Sequence, residues 1–371
     1  MYLIMGDFAT NSLFIWPENT TVPYKGFPKN RSWEFTNDDS KALKNYISEI
    51  EIVAPRIYPP RGNNQFVKGK NTGAFHIFGD YPVYYKIDPV TLTQGRFLND
   101  LDLKDKRKVV VIGKRVKESL FDPKEEPIGQ YIQIQGVYFQ VVGVFKSKHT
   151  QGWADYQNEA VFMPFTTLQK TYNLGNIVRY YSITAKPQYS VSFVEKKIRA
   201  LLAARHKVSP DDTQAFGSNN IEEQFKNGNR VFVGMNFLTW FVGRLTLIAG
   251  VIGISNIMLV VIKERTKEIG VQRAIGATPV KIVGQIVLES VFLTFVAGII
   301  GLIFGVLIIQ GVSLLLANIP PDKAVFLHPE INVRTVVSAL ILLVISGTFA
   351  GFIPARRAIK IKPVDALRTE L

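Results

Sequence analysis

Three apolar stretches in the last third of the chain, residues 237–262, 282–317 and 333–353, most constrain what this sequence can fold into. Each meets the ~20 residues needed to cross a hydrocarbon core about 30 Å thick. In lipid the backbone must satisfy its own hydrogen bonds, so all three read as helices. Residues 1–236 hold no apolar run approaching the ~18 residues of a span and read as water-soluble. The mean hydropathy of +0.11 is therefore an average over two unlike parts.

Those parts also differ in charge. Residues 1–236 carry 31 basic and 23 acidic side chains and the remainder carries 13 and 7, which gives the 371-residue chain its net +14. With 47% hydrophobic, 12% aromatic and only 20% charged residues, the chain has enough apolar surface to fold. There is no cysteine, which excludes a disulfide scaffold, a thiol nucleophile and a zinc ribbon, and leaves the compartment open.

The middle stretch of 36 residues would make about 54 Å of helix, either one tilted span or two short ones. Basic residues decide between them. Lys263, Arg265, Lys267, Arg273 and Lys281 lie in 263–281, and Arg356, Arg357, Lys360, Lys362 and Arg368 follow Pro354, against a lone Lys323 in 318–332. A single span puts both basic segments on the cytoplasmic side. The first span then enters from outside, and residues 1–236 are extracytoplasmic. Met1 to Met5 is too short for the apolar core of a signal peptide, so a further span is expected upstream. The expected architecture is an α+β extracytoplasmic domain (1–236) followed by an α-helical membrane domain (237–371). Three spans are present, and a first one is missing.

Within the external part, the alternation of 131–135, a turn at Gly136 and the return at 138–145 predict a hairpin. Val109 to Ile112 reads as a buried strand leading past Gly113 into a helix at 114–121. Ser192 to Glu195 has capping-box spacing, with Val191, Val194, Ile198, Leu201 and Leu202 on one helical face. Residues 220–236 read as a helix feeding into the first span, a rigid stalk.

No catalytic constellation emerges, and no enzymatic activity is expected of this chain. His76, His149, His206 and His328 are scattered without metal-ligand spacing, and no phosphate-binding GxxxxGK[ST] loop is present. Neither a metal nor another cofactor is expected, and an external domain leaves no role for nucleic acid. The informative residues lie in the membrane half. Five of the six residues from Lys263 to Glu268 are charged, which marks emergence into the cytosol. A straight helix over 237–275 would reach about 58 Å, so it must project or bend. Gly270 is the expected bend and Gly276 the expected C-terminal cap, while Thr278-Pro279 starts the next helix. The loop is thus a short helical elbow, either a mere connector or a coupling element. Arg244 and Glu289 lie near span ends, where snorkelling is the first reading and a substrate or coupling role the alternative. Gly301/Gly305 and Gly347/Gly351 form small-residue faces for helix packing.

The run from Lys263 to Thr278, KERTKEIGVQRAIGAT, resembles the signature after the second span of the MacB/FtsX-type ABC transporter permeases. Pro354-Ala355-Arg356-Arg357-Ala358 and Pro363 to Arg368 resemble their tail. Gly95-Arg96-Phe97, Val109 to Gly113, Pro127-Ile128-Gly129, Val141 to Val144 and Val161 to Pro164 resemble the family's MacB-like periplasmic core. The resemblance implies a bacterial inner-membrane permease, a homodimer or a heterodimer with a related permease, served by a separate ABC ATPase that binds the ATP. Lys263, Glu264, Arg265, Lys267, Glu268, Gly270, Arg273, Gly276 and Ala277 would be the ATPase-coupling residues, in a cytoplasmic loop 263–281, with a cytoplasmic tail 354–371. Nucleotide-driven motion would be transmitted to the periplasmic domain to export a drug, peptide or similar compound, with a periplasmic or outer-membrane partner beyond it. In-family alternatives are lipoprotein release and control of a cell-wall hydrolase. Outside the class, the alternative is a membrane-anchored sensor or ligand-binding protein. The family has a span before the external domain that is absent from this sequence.

Overall fold

Short, Gly-punctuated apolar runs make the first two thirds of the molecule a sheet, and long uninterrupted ones make the last third helical. The computed structural model describes residues 9–60, 64–149, 151–316 and 333–360. The loop around Lys323, His328, and the tail motif from Pro363 to Arg368 lie outside the described residues. The chain divides into two units, Met1–Val231 and Phe232–Leu371.

The strands of the sheet unit are β1 Ser12–Pro17, β2 Phe35–Thr36, β3 Ile50–Ile57, β4 Gln65–Lys68, β5 Asn71–Ala74, β6 His76–Asp80 and β7 Thr91–Gly95. They continue with β8 Val109–Gly113, β9 Tyr131–Ile134, β10 Val137–Lys146, β11 Ala160–Pro164, β12 Ile177–Val178, β13 Tyr180–Ala185 and β14 Phe216–Asn220. Among them run α1 Asn37–Tyr46, α2 Asp100–Lys104, α3 Lys114–Leu120, α4 Gln151–Asn158, α5 Phe165–Thr171 and α6 Val191–His206. The main sheet is mixed, in the order β14-β1-β13-β3-β6-β11-β8-β10-β9-β4-β5, with β7 also on β10. β10 runs parallel to β8, and β11 parallel to β6.

The buried strand β8 shows why its sequence is a continuous apolar run. Val110 and Ile112 enter a large core that also holds Leu43, Leu168 and Ile198 of α1, α5 and α6, while Val109 and Val111 enter a second core with Phe145 and Phe162. A strand packed on both faces has no polar side to alternate. The β9–β10 hairpin forms with Gln135 and Gly136 both at positive φ, 46° and 84°, the requirement of a type I′ turn. Gly95 and Gly143 stand opposite each other where β7 crosses β10. A Cβ on Gly95 would meet Val142 O at 2.2 Å, and one on Gly143 would meet Arg96 O at 2.2 Å, so both motif glycines serve close backbone approach.

One cap departs from the sequence reading. Ser190, and not Ser192, caps α6, with its side chain accepting from the Phe193 N–H. Ser192 Oγ instead accepts from Asn220 Nδ2 at 3.1 Å. The local spacing allowed Ser192, but starting the helix two residues earlier buries Val191 and leaves Ser192 for the neighbouring segment.

Four further helices follow: α7 Ile221–Glu264, α8 Thr266–Ala274, α9 Pro279–Leu316 and α10 Val333–Ala358. Asn220 opens α7 by accepting from the Glu223 N–H at 3.1 Å, and Glu222 Oε2 accepts from the Val191 N–H at the start of α6 at 2.6 Å. Ile221–Glu264, Pro279–Leu315 and Val336–Ala358 each contain a segment long and apolar enough to cross a membrane. The middle apolar stretch is one unbroken helix of about 57 Å. In the helical unit α9 packs along α10. A Cβ on Gly347 would meet Thr294 Oγ1 at 2.8 Å, and one on Gly351 would meet Ser290 Oγ at 2.7 Å.

Candidate functional site

The elbow between the first two long helices is built from a break, a short helix and a cap. The break is at Arg265, whose φ of −94° and ψ of 16° end α7 and begin α8. Thr266 Oγ1 donates back to Ile262 O and Lys263 O at 3.0 and 2.8 Å, which satisfies carbonyls freed at the break. The expected bend at Gly270 is thus corrected. Gly270 lies within α8 and is buried with Ile269, and the chain turns upstream of it. At the other end Gly276 has a φ of +103°. The Gly276 N–H bonds Arg273 O at 3.1 Å and the Ala277 N–H bonds Gln272 O at 2.9 Å, the paired bonds of a Schellman cap. Pro279 then opens α9.

Packing holds this elbow to the ends of all three long helices. Ile269 joins Met258 and Ile262 of α7, Ile282 and Ile286 of α9, and Ala355 and Ala358 of α10 in one cluster, with Ala277 at its edge. Arg265 Nε donates to Glu268 Oε2 at 2.9 Å, and its Nη1 lies 3.5 Å from Glu289 Oε2. Glu268, then Glu289, hold the Arg265 guanidinium above its ordinary range. Arg273 Nη1 donates to Ile359 O at 2.7 Å, just past α10. Lys263, Glu264, Lys267 and Glu268 are exposed, as are Val271 and Ile275, the latter at 81%.

Sequence reasoning did not find the partner of Glu289. Its distance from the span centre suggested snorkelling, yet it pairs with Arg265, 24 residues away in the chain. Of the four packing glycines, Gly347 and Gly351 meet α9, whereas a Cβ built on Gly301 or Gly305 has nothing among the described residues within 4 Å. Gly298 was not singled out, yet a Cβ there would meet Leu343 at 2.4 Å.

The sheet unit holds a buried polar network that the sequence did not reveal. Arg56 and Asp80 stand opposite each other on β3 and β6 and pair through two bonds of 2.6 and 2.9 Å. The guanidinium lies 4.1 Å from the ring centroids of Phe78 and Tyr84 and donates to the hydroxyls of Tyr84 and Tyr180. Burial pushes the Tyr180 phenol up to about 12. Tyr84 donates on to Asp88, which His149 Nε2 meets at 2.7 Å and Gln157 at 3.0 Å. Nearly every strong donor and acceptor is used internally, so the cluster rigidifies the sheet. His76 and His206 lie elsewhere, against Tyr156 and Asp39 respectively. Among the described residues no group of three or more His, Asp or Glu could hold a metal ion.

Residues 3–201 match the family described as MacB-like periplasmic core domain, and residues 240–363 match the FtsX-like permease C-terminal. The chain is 30% identical over 367 residues to the pyoverdine export ATP-binding/permease protein PvdT of Pseudomonas putida, covering 99% of this chain and 52% of that one. It is 32% identical over 335 residues to the macrolide export ATP-binding/permease protein MacB of Bdellovibrio bacteriovorus, covering 90% and 49%. The chain thus spans about half the length of the curated relatives it matches. Its fold is similar to the periplasmic region of MacB from Actinobacillus actinomycetemcomitans, with a TM-score of 0.48 and 19% identity over 60% of this chain and 94% of that one.

Proposed function

The chain belongs to the MacB/FtsX-type permease family, and on that premise we propose that it is the permease subunit of an ABC exporter, driven by a separate ATPase. The supporting observation is the elbow. A nine-residue helix exposes Lys267, Glu268 and Val271, continued on either side by the exposed Lys263, Glu264 and Ile275, and is anchored by its buried Ile269 to the ends of three apolar helices. Such a helix suits docking against a cytoplasmic partner, and basic residues flank it as the positive-inside rule requires. The partner binds the ATP, and this chain carries no chemistry of its own. Motion of the elbow passes into α7 and so to an extracytoplasmic sheet unit, in a bacterial inner membrane. The cargo is a drug, peptide or similar compound, and the export named for two relatives supports that class. The working form is a homodimer or a heterodimer with a related permease, with a periplasmic or outer-membrane partner taking the cargo onward.

Reconstitution with an ABC ATPase from the same organism tests the assignment. Wild type binds that ATPase and stimulates ATP hydrolysis, and Glu268→Lys or Arg273→Glu removes both effects. If both variants bind and stimulate as wild type does, the coupling role of the elbow is wrong.

A further inference from the structure

A helix as short as α8 does not hold itself together in water, so its position depends on what it touches. Its middle is fixed by Ile269, a buried side chain in the apolar cluster. Two arginines bracket that contact. At the front, Arg265 reaches Glu289 on α9 and, at the back, Arg273 donates to Ile359 O at the end of α10. Among the described residues these two contacts fasten α9 and α10 to opposite ends of α8. The front fastener is half sheltered, because Arg265, Glu268, Gln272, Gln285 and Glu289 surround a small pocket between α7, α8 and α9.

Arg265 is within reach of two carboxylates that do different things. Glu268 belongs to α8 itself, so its bond to Arg265 stiffens the elbow but ties it to nothing. Glu289 belongs to α9, and its pair with Arg265 crosses the point where α7 breaks. We infer that Arg265 and Glu289 are positioning residues that lock α8 to α9 across the break, with Arg273 as the second lock to α10, so that the elbow and the three helix ends move as one body. Without the locks the break at Arg265 is a hinge, and a push on α8 is absorbed there. The inference rests on the permease reading for its purpose, but its geometry is tested in the chain alone.

The chain has no cysteine, so paired spin labels can be placed without background. Labels at Ala274 and Leu288 report the distance from α8 to α9, and labels at Ala274 and Ile353 report that from α8 to α10, in the full chain in lipid nanodiscs without ATPase. Wild type and Glu268→Gln give one narrow α8–α9 distance. Glu289→Gln and Arg265→Gln each raise the displaced population about two- to fivefold, the range expected for one partly exposed ion pair. The Arg265→Gln/Glu289→Gln double variant is no worse than either alone, because the two share one interaction. Arg273→Gln broadens the α8–α10 distance instead. With a stimulating ATPase added, Glu289→Gln lowers maximal stimulation without changing the permease concentration that half-saturates it, which simple misfolding would not do. A narrow wild-type-like distance in Glu289→Gln, or equal broadening in Glu268→Gln, overturns the lock. Absence of stimulation by wild type overturns the permease reading and leaves the distance measurements standing.

Discussion

Phenylalanine is handled in opposite ways by the two units. In the sheet unit Phe35, Phe66, Phe139 and Phe145 are fully buried, whereas in the helical unit Phe237, Phe292 and Phe304 are 71, 63 and 62% exposed. The side chain is the same and the solvent differs. In water, removing apolar surface is the main force that holds a sheet and its helices together. Between lipid tails that force vanishes, and helices must cohere by close backbone approach and polar contacts. The sheet unit accordingly seals Arg56 and Asp80 inside aromatic walls. The helical unit relies on Gly298, Gly347 and Gly351 along α9 and α10, and on the arginines of the elbow.

The largest test of this contrast is Arg56→Ala. It strands the buried Asp80 carboxylate, and the sheet unit should lose about 3–5 kcal/mol. Denaturant unfolding of the purified chain, followed by tryptophan fluorescence, measures the shift. A loss below 1 kcal/mol would mean that the network is dispensable. Next comes Gly351→Leu, whose side chain has to enter space 2.7 Å from Ser290 Oγ and 3.0 Å from Val287 Cα. Overpacking there should cost about 1–3 kcal/mol in detergent-titration unfolding of the helical unit. Gly301→Leu, with nothing among the described residues within 4 Å, should stay within about 0.5 kcal/mol of wild type.

A smaller effect is expected of Gly276→Ala. The φ of +103° is strained for alanine and should cost about 1–2 kcal/mol. Hydrogen exchange reads it as faster loss of the Gly276 and Ala277 amides that close α8. The smallest effect concerns acid. Burial alone would raise the Asp39 carboxyl, but bonds from His206, Arg205 and the Thr36 backbone hold it at about 2, below its ordinary 3.8. A carboxylate depressed in the folded state stabilises above its unfolded value, and that share is lost as pH falls from about 4 through 2. Asp39→Asn should flatten the acid limb of the sheet-unit stability curve by on the order of 1 kcal/mol. An unchanged acid limb would show that Asp39 does not carry this dependence.

Much of this was legible from local pattern. The β8 run, the Gln135-Gly136 turn, the Gly276 cap and the Thr278-Pro279 start all depend on backbone angles that neighbouring residues dictate. The misses share another cause. Ser192 has the spacing of a cap but is taken up by Asn220, 28 residues on. Gly270 is the glycine nearest the middle of the elbow, yet the bend falls at Arg265 and Ile269 is buried. Glu289 looks like an interface charge until α8 brings Arg265 beside it.

The sequence by itself determined that the chain has a sheet-forming part and three spanning-length helices, and where some of the turns and helix ends fall, those at Gly136, Gly276 and Thr278-Pro279 among them. Period, length and Gly or Pro position act within a few residues, so they can be read along the chain. Only the tertiary structure decided that Arg56 faces Asp80, that Gly347 and Gly351 rather than Gly301 and Gly305 meet a helix, and that Arg265 is shared between Glu268 and Glu289. Those pairings depend on strand register and helix rotation, which are set by burying the whole core at once and leave no mark at either partner's position.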